Sequence, residues 1–272
     1  LPEYYLTRTE AALLDTLAPR LMRELEPQDI VELGPGSASK TRRLLDGRNG
    51  LPDRLRYVPI DVDELTVQAS AARLISDYPF LDVRALVGDF ERHLEHVPSP
   101  VGRRLVLFLG STIGNLDPPA RLRLLSQVRA LLRSREDRFL LGLDLVKDVT
   151  VLEAAYNDAS GVTREFNRNI LNVVNLGADA DFRPTAFRHV AFYNEPAARI
   201  EMHLVPDSTQ VVHLRRLELT IRISPDENIW TESSYKFSRA GAQAMLEEAG
   251  LRLESWHTDS ESYFALAVAA SG

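Results

Sequence analysis

Glu32-Leu33-Gly34-Pro35-Gly36 closes a short apolar run, and its two glycines let the chain turn so that a ligand can lie against bare backbone. A dinucleotide fingerprint asks for a third glycine at position 39, where this chain has Ser39, so a pyrophosphate is disfavoured. Alone, such a turn is equally an ordinary strand-to-helix connection. Asp61 ends the next run, placed to accept hydrogen bonds from both hydroxyls of a ribose, or else to cap the helix that begins near VDELT. Asp89, in Gly88-Asp89-Phe90, could accept from an adenine amino group while Phe90 lies along the ring, or could be a second cap. Asn115, closing Gly110-Ser111-Thr112-Ile113-Gly114-Asn115, can donate and accept at once, or can be a turn asparagine. Singly, each leaves both readings open. The glycine turn, Asp61 and Asp89 at the ends of three consecutive strands are harder to obtain by coincidence, and that set favours binding. The histidines show no metal spacing: His93 and His96, three apart in ERHLEH, suit a charged helix face, and no metal is expected.

Composition narrows the class. The chain has 272 residues, 44% hydrophobic and 26% charged, which suits one large globular domain or two modest ones. Its 32 basic against 39 acidic side chains give a net charge of −7, which argues against a nucleic-acid partner. It has no cysteine, which removes disulfides, thiolate metal sites and cysteine nucleophiles together and makes a reducing, cytoplasmic setting the expectation. No apolar run approaches the ~20 residues of a membrane helix, and no membrane partner is expected. The first residue is Leu1 rather than Met, so the expectation is that an upstream segment is missing.

The elements that must position these residues follow from periodicity. Thr7 and Glu10 stand at capping-box spacing before a helix whose apolar residues are Leu13, Leu14, Leu17, Leu21, Met22 and Leu25. Near-continuous apolar runs at 29–34, 56–62, 82–89, 103–111 and 138–146 read as strands separated by helices, hence a parallel sheet covered on both faces. The rhythm breaks at about residue 151. Two helical stretches are followed by RIEMHLV and QVVHLRRLELTIRIS, which read as an antiparallel pair joined by PDST. The tail returns to a helix and two strands joined by TDSES, too short for a parallel crossover. A five-strand βα series closed by an antiparallel hairpin is the arrangement expected of a class I S-adenosylmethionine-dependent methyltransferase, so the expected fold is α/β, Rossmann-like, with a seven-stranded, mostly parallel sheet and an antiparallel C-terminal strand. An NAD-binding domain would instead continue into a second parallel half. Residues 1–150 and 235–272 form the expected cofactor-binding core, and residues 151–234 an inserted α+β substrate domain acting as a lid.

LPEYYLTRTEAALL, VELGPGSASKTRRLL, VLFLGSTIGNL, LLGLDLVKD, AAYNDASGVTREFNRNIL, RIEMHL and TESSYKF together resemble the histidine-specific methyltransferases of the ergothioneine pathway, from Leu1 to the last strand. The resemblance implies three methyl transfers from S-adenosyl-L-methionine to the α-amine of L-histidine, giving the betaine hercynine and S-adenosyl-L-homocysteine, the first step of ergothioneine biosynthesis. It implies Gly34, Lys40, Asp61, Asp89 and Phe90 around the cofactor, and Tyr5 at its approach or on the substrate side. It implies Asn115 and Tyr156 as the catalytic positions that hold the substrate amine and carboxylate, with Met202, Glu232 and Ser234 around the imidazole. A carboxylate and a hydroxyl two residues apart on one strand face suit the two nitrogens of that ring. Without the resemblance, Glu232 would be a surface carboxylate and Met202 core filling. Members carry a segment upstream of the tyrosine motif that helps cover the substrate, and the expectation is that this chain lacks it. The same scaffold acting on another aromatic amino acid such as tryptophan is the main alternative. An NAD-dependent oxidoreductase and a non-catalytic regulator are more remote. A monomer is expected.

Overall fold

The computed structural model describes residues 1–47 and 54–272. The chain divides into two compact units: a core unit, Leu6–Val146 with Phe237–Gly272, and an inserted unit, Lys147–Lys236 with Leu1–Tyr5. The core unit opens with α1 (Leu6–Leu25), β1 (Asp29–Leu33), α2 (Ser39–Asp46), β2 (Leu55–Asp61), α3 (Glu64–Asp77), β3 (Leu81–Val83), β4 (Leu86–Val87), β5 (Arg104–Phe108), α4 (Pro118–Leu131) and β6 (Arg138–Asp144). The inserted unit holds α5 (Val149–Tyr156), α6 (Val162–Ala178), β7 (Phe187–Asn194), β8 (Arg199–Pro206), β9 (Gln210–Leu214), β10 (Leu219–Ile223) and β11 (Ile229–Tyr235). The core then closes with α7 (Arg239–Glu248), β12 (Leu251–Thr258) and β13 (Phe264–Ser271).

The core sheet runs β12-β13-β6-β5-β1-β2-β3, with β4 also on β2. Strands β1 to β6 pair in parallel, and β13 lies antiparallel between β6 and β12. This is the expected mostly parallel sheet of seven positions with an antiparallel C-terminal strand. Every residue of β1 and β5 is buried, as strands covered on both faces must be. The run at 82–89 is broken, however: β3 pairs with Leu55–Tyr57 and β4 with Ile60–Asp61. This outermost position has a partner on one side only, and Arg84 and Ala85 at the break are exposed. Parallel register brings the carboxyl ends of β1, β2 and β4 together. Gly34 N–H donates to Ile60 O (2.9 Å) and Gly88 N–H to Asp61 O (2.9 Å), locking the loops side by side.

Helix α1 packs through Leu6, Glu10, Leu13, Leu14, Ala18, Leu21 and Met22, a stripe at helical spacing. It begins at Leu6, so Thr7 and Glu10 are both inside it and the expected capping box does not form. Glu10 instead lies within the buried stripe.

The inserted unit departs from the expected strand pair. Strand β8 pairs antiparallel with β7 and β11, and the 210–224 run folds back on itself as the β9–β10 hairpin. Alternation fails at Arg215-Arg216-Leu217, which form a 3₁₀ turn ending at Glu218 with φ of 52°. A small core of Leu171, Phe182, Phe187, Leu204, Val212 and Leu214 holds α6 to these strands. Among the described residues no helix is long and apolar enough to cross a membrane.

At the amino ends of the core strands, Arg104 is 1% exposed. Its Nε meets Asp29 Oδ2 at 2.7 Å, and its other nitrogens donate to Pro98 O and Leu131 O. Arg56 takes the second oxygen of Asp29 at 2.6 Å. Asp29→Ala strands this guanidinium without its counter-charge and is expected to cost about 3–5 kcal/mol. Asp29→Asn, which keeps an acceptor, is expected to cost less; urea unfolding near pH 7 measures both.

Candidate functional site

In the core unit, Gly34 and Gly36 turn the chain with φ of +63° and +52°. A Cβ on Gly36 would meet nothing within 4 Å, while one on Gly34 would touch the Phe90 ring at 3.5 Å. The turn is thus open beside Gly36 and backed by Phe90, which packs edge-on against the buried Phe108 at 5.3 Å. Asp61 Oδ2 accepts from Gly36 N–H at 3.4 Å and Oδ1 from Asp63 N–H at 3.1 Å. The cap of α3 is Asp63, not Asp61. Asp89 Oδ1 accepts from Glu91 N–H (2.8 Å) in a local turn, and the short 3₁₀ segment that follows is capped by His93. Both carboxylates are half-buried, and neither serves as the helix cap that was the alternative. Asn115 ends a 3₁₀ turn, Thr112–Asn115, after β5, and is exposed.

Lys40 sits in the first turn of α2, directly after the glycine turn. Its Nζ meets Glu10 Oε2 at 2.5 Å, with Glu10 wholly buried and Lys40 23% exposed. Glu10 Oε1 accepts from Gly110 N–H at 2.7 Å. Glycine is needed on both sides of this pair: a Cβ on Gly110 would approach Lys40 Nζ at 2.8 Å, and one on Gly142 would lie 2.3 Å from Glu10 Oε1. Glu32 is buried beside it and accepts from Tyr57 OH (2.5 Å) and from Thr41 Oγ1. Burial pushes the Glu32 carboxyl up, partly offset by those donors and by Lys40.

In the inserted unit, Glu232 stands opposite Met202 and Ser234 opposite Ile200 across the β8–β11 pair, so Met202, Glu232 and Ser234 share one face. Lys236 follows in the same alternation and is 4% exposed. Tyr156, at the end of α5, donates to Ser234 Oγ at 2.7 Å. Lys236 Nζ donates to Ser234 Oγ at 2.8 Å and to Tyr156 OH at 3.1 Å, 4.9 Å from that ring's centroid. The Tyr156 carbonyl is held by His189 Nε2 at 2.9 Å, and Asn167 sits on His189 Nδ1. Burial raises the Glu232 carboxyl and Lys236 pulls it back. The opposite face carries a stack of Phe192, His203 and Trp230. Tyr5 belongs to this unit, accepting from Lys147 Nζ at 2.7 Å with the ammonium over its ring.

Each unit therefore gathers its own share of the sequence-derived residues: Gly34, Lys40, Asp61, Asp89, Phe90 and Asn115 in one, Tyr5, Tyr156, Met202, Glu232 and Ser234 in the other. Sequence reasoning missed Glu10 and Lys236. The signal for Glu10 was a charge inside an apolar helical stripe, and for Lys236 its place two residues beyond Ser234. A cleft of about 760 Å³ lies elsewhere, lined by Gln28, Arg54, Arg56, Phe80, Asp82 and Arg84. It adjoins the amino ends of β1 and β2, whereas open α/β sheets place ligands at the carboxyl ends, so it carries no part of the candidate site.

The family model "Histidine-specific methyltransferase, SAM-dependent" matches residues 1–271. The histidine N-alpha-methyltransferase of Mycolicibacterium smegmatis is 45% identical over 99% of this chain and 83% of that protein. That of Mycobacterium tuberculosis is 43% identical over 99% of this chain and 84% of its own. A solved S-adenosylmethionine-dependent methyltransferase from Clostridium acetobutylicum superposes with a TM-score of 0.52 at 9% identity, covering 96% of this chain and 92% of that one, which shows the fold.

Glu232 supplies a pH-dependent test of the inserted unit. Its raised carboxyl means the native state holds that proton more tightly than the unfolded chain, whose value is near 4.5. Its contribution to stability is therefore fully present below that value and lost as pH rises through the folded one. Glu232→Gln removes the loss. The variant is expected to be more stable than wild type near pH 7, with the difference shrinking towards about pH 4, as urea titrations across that range would read.

Proposed function

The chain belongs to the histidine-specific, S-adenosylmethionine-dependent methyltransferases, and from that premise we propose that it transfers three methyl groups to the α-amine of L-histidine, giving hercynine. The observation that carries the substrate assignment is the pairing of a half-buried carboxylate, Glu232, with the Ser234 hydroxyl on one strand face beside Met202.

The core residues fit the cofactor. Open space beside Gly36 admits a ligand against backbone, and two half-buried carboxylates that cap no helix stand at adjacent strand ends. Asp61 would take the ribose hydroxyls and Asp89 the adenine amine, with Phe90 along the ring. Lys40 would take the amino acid carboxylate of the cofactor, a cation held close to the glycine turn by Glu10. When bound, the cofactor supplies an electrophilic sulfonium methyl. The remainder of the work falls to this chain and is largely positioning and water exclusion. Tyr156 and Asn115 would orient the amine lone pair, and Tyr5 would stand on the substrate side. Peptide α-amines titrate near ~8, and a dry site disfavours the cation, so the neutral nucleophile needs no dedicated strong base. Tryptophan fits this face less well, because an indole offers one donor and no ring lone pair for a hydroxyl to meet.

Incubation with S-adenosylmethionine and histidine, followed by mass spectrometry, is expected to show a gain of three methyl groups on histidine. Tryptophan in its place is expected to stay unmodified. Absence of any methylated histidine from folded protein that still binds S-adenosylhomocysteine would sink the assignment. Asn115→Ala is expected to lower histidine turnover by on the order of 10²-fold, with S-adenosylhomocysteine affinity little changed in calorimetry. An unchanged turnover would remove Asn115 from the mechanism.

A further inference from the structure

Lys236 is a buried ammonium that the function so far leaves without work. Its neighbours define what it does. A serine hydroxyl has one proton and two lone pairs. At Ser234 the lone pairs are met by Tyr156 OH at 2.7 Å and Lys236 Nζ at 2.8 Å. In the first bond Tyr156 OH is the donor, while its oxygen accepts from Lys236 Nζ at 3.1 Å. An ammonium only donates, and with the phenol donating as well Ser234 receives two bonds and has one proton to give. Ser234 is thereby left as a donor towards any ligand on its face.

Glu232, two residues back on the same face, is the acceptor. The strand thus offers one acceptor and one donor, with a positive charge behind the donor. The geometry points to Lys236 as a positioning residue that fixes Ser234 as a hydrogen-bond donor, so that this face selects a neutral five-membered ring with one N–H and one lone-pair nitrogen and rejects its doubly protonated cation. This rests on the proposed role of Glu232 and Ser234 as readers of the substrate ring. Titratable groups acting with Lys236 include Tyr156 from α5, Tyr193 from β7, whose phenol burial raises and Lys236 partly draws back, and Glu232 on its own strand. On strand β8 the residues opposite Ser234 and Glu232 are Ile200 and Met202, neither of which titrates.

Hercynine is the suitable probe, because its quaternary amine does not titrate and the imidazole, near ~6.5 when unperturbed, is its only group that changes charge between about pH 5.5 and 8. Calorimetric titration of hercynine into protein saturated with S-adenosylhomocysteine is expected to show wild-type affinity falling about tenfold per pH unit below the ring pKa. In Lys236→Met the hydroxyl of Ser234 is free to turn and accept, and the charge that opposes a cationic ring is gone. The fall is expected to flatten to less than about threefold per unit. Lys236→Arg keeps a donating cation and is expected to keep the steep slope. A wild-type slope in Lys236→Met overturns the inference. Should Lys236→Met not fold by circular dichroism, Ser234→Ala carries the test, since it removes the outward donor and is expected to flatten the slope; a steep slope there overturns the inference equally. Failure of the wild type to bind hercynine at any pH while S-adenosylhomocysteine binds would instead overturn the histidine assignment beneath it.

Discussion

A carboxylate with no exposed surface, Glu10, governs the geometry around the core unit's glycine turn. A buried charge is tolerated only when it is paired and hydrogen-bonded. Glu10 meets that demand by binding Lys40 on α2 and the Gly110 N–H after β5, joining three segments far apart in sequence. Gly110 and Gly142 lack side chains where a Cβ would collide with the pair. The position of Lys40 relative to the Gly34–Gly36 turn is therefore set from beneath, by α1, rather than by α2 alone. An apolar residue at position 10 would pack as well but would leave the lysine without its charge partner.

The inserted unit solves a different problem with similar means. Met202 and Ile200 make one face of the β8–β11 pair apolar, while Glu232, Ser234 and Lys236 make its other half polar. Burial raises Glu232, and the ammonium two turns of alternation away works against that rise. Opposite charges on one strand face, separated by a hydroxyl, create a gradient along the strand. A ring with a donor on one side and a lone pair on the other is complementary to that gradient. Discrimination by unmatched polar groups is far sharper than discrimination by size, because a ligand lacking the match leaves a buried donor or acceptor unpaired.

Legibility in the sequence followed burial. The strands β1, β2, β5, β6 and β13 are near-continuous apolar runs, and both their existence and the parallel architecture followed from that. The edge position was less clear: β3 and β4 read as one strand because periodicity does not reveal a one-sided partner. In the inserted unit, FRHVAFYN lacks a clean alternation and goes unread as a strand, and the strand face that carries Glu232 and Ser234 has no partner assigned by the sequence, which leaves RIEMHLV paired with the wrong run. Glu10 was hidden by Thr7, whose three-residue spacing imitates a capping box. The imitation fails because Glu10 also falls in phase with Leu6, Leu13 and Leu14, and a helix has only one inward face. The residue-by-residue roles of Glu232 and Met202 came from family motifs, since each alone has an ordinary structural explanation.

Buried charges in this protein differ in what they leave over, and that difference separates scaffold from site. Arg104 spends its side-chain nitrogens on Asp29, Pro98 and Leu131, and its backbone N–H on Asp137. Its partners all belong to the chain itself, and replacing such a buried network with apolar residues of equal volume is often neutral for stability. The Tyr156–Ser234–Lys236 triangle closes on the lone pairs of Ser234 but not on its proton. A network that spends buried charge to aim a single hydroxyl makes poor sense as scaffold, because Ala at 234 and Leu at 236 would fill the same strand face without desolvating an ammonium. It makes sense where the aimed proton meets a ring nitrogen. The cost of burying Lys236 then appears as selectivity between ligands rather than as fold stability, a trade that binding sites make and cores do not.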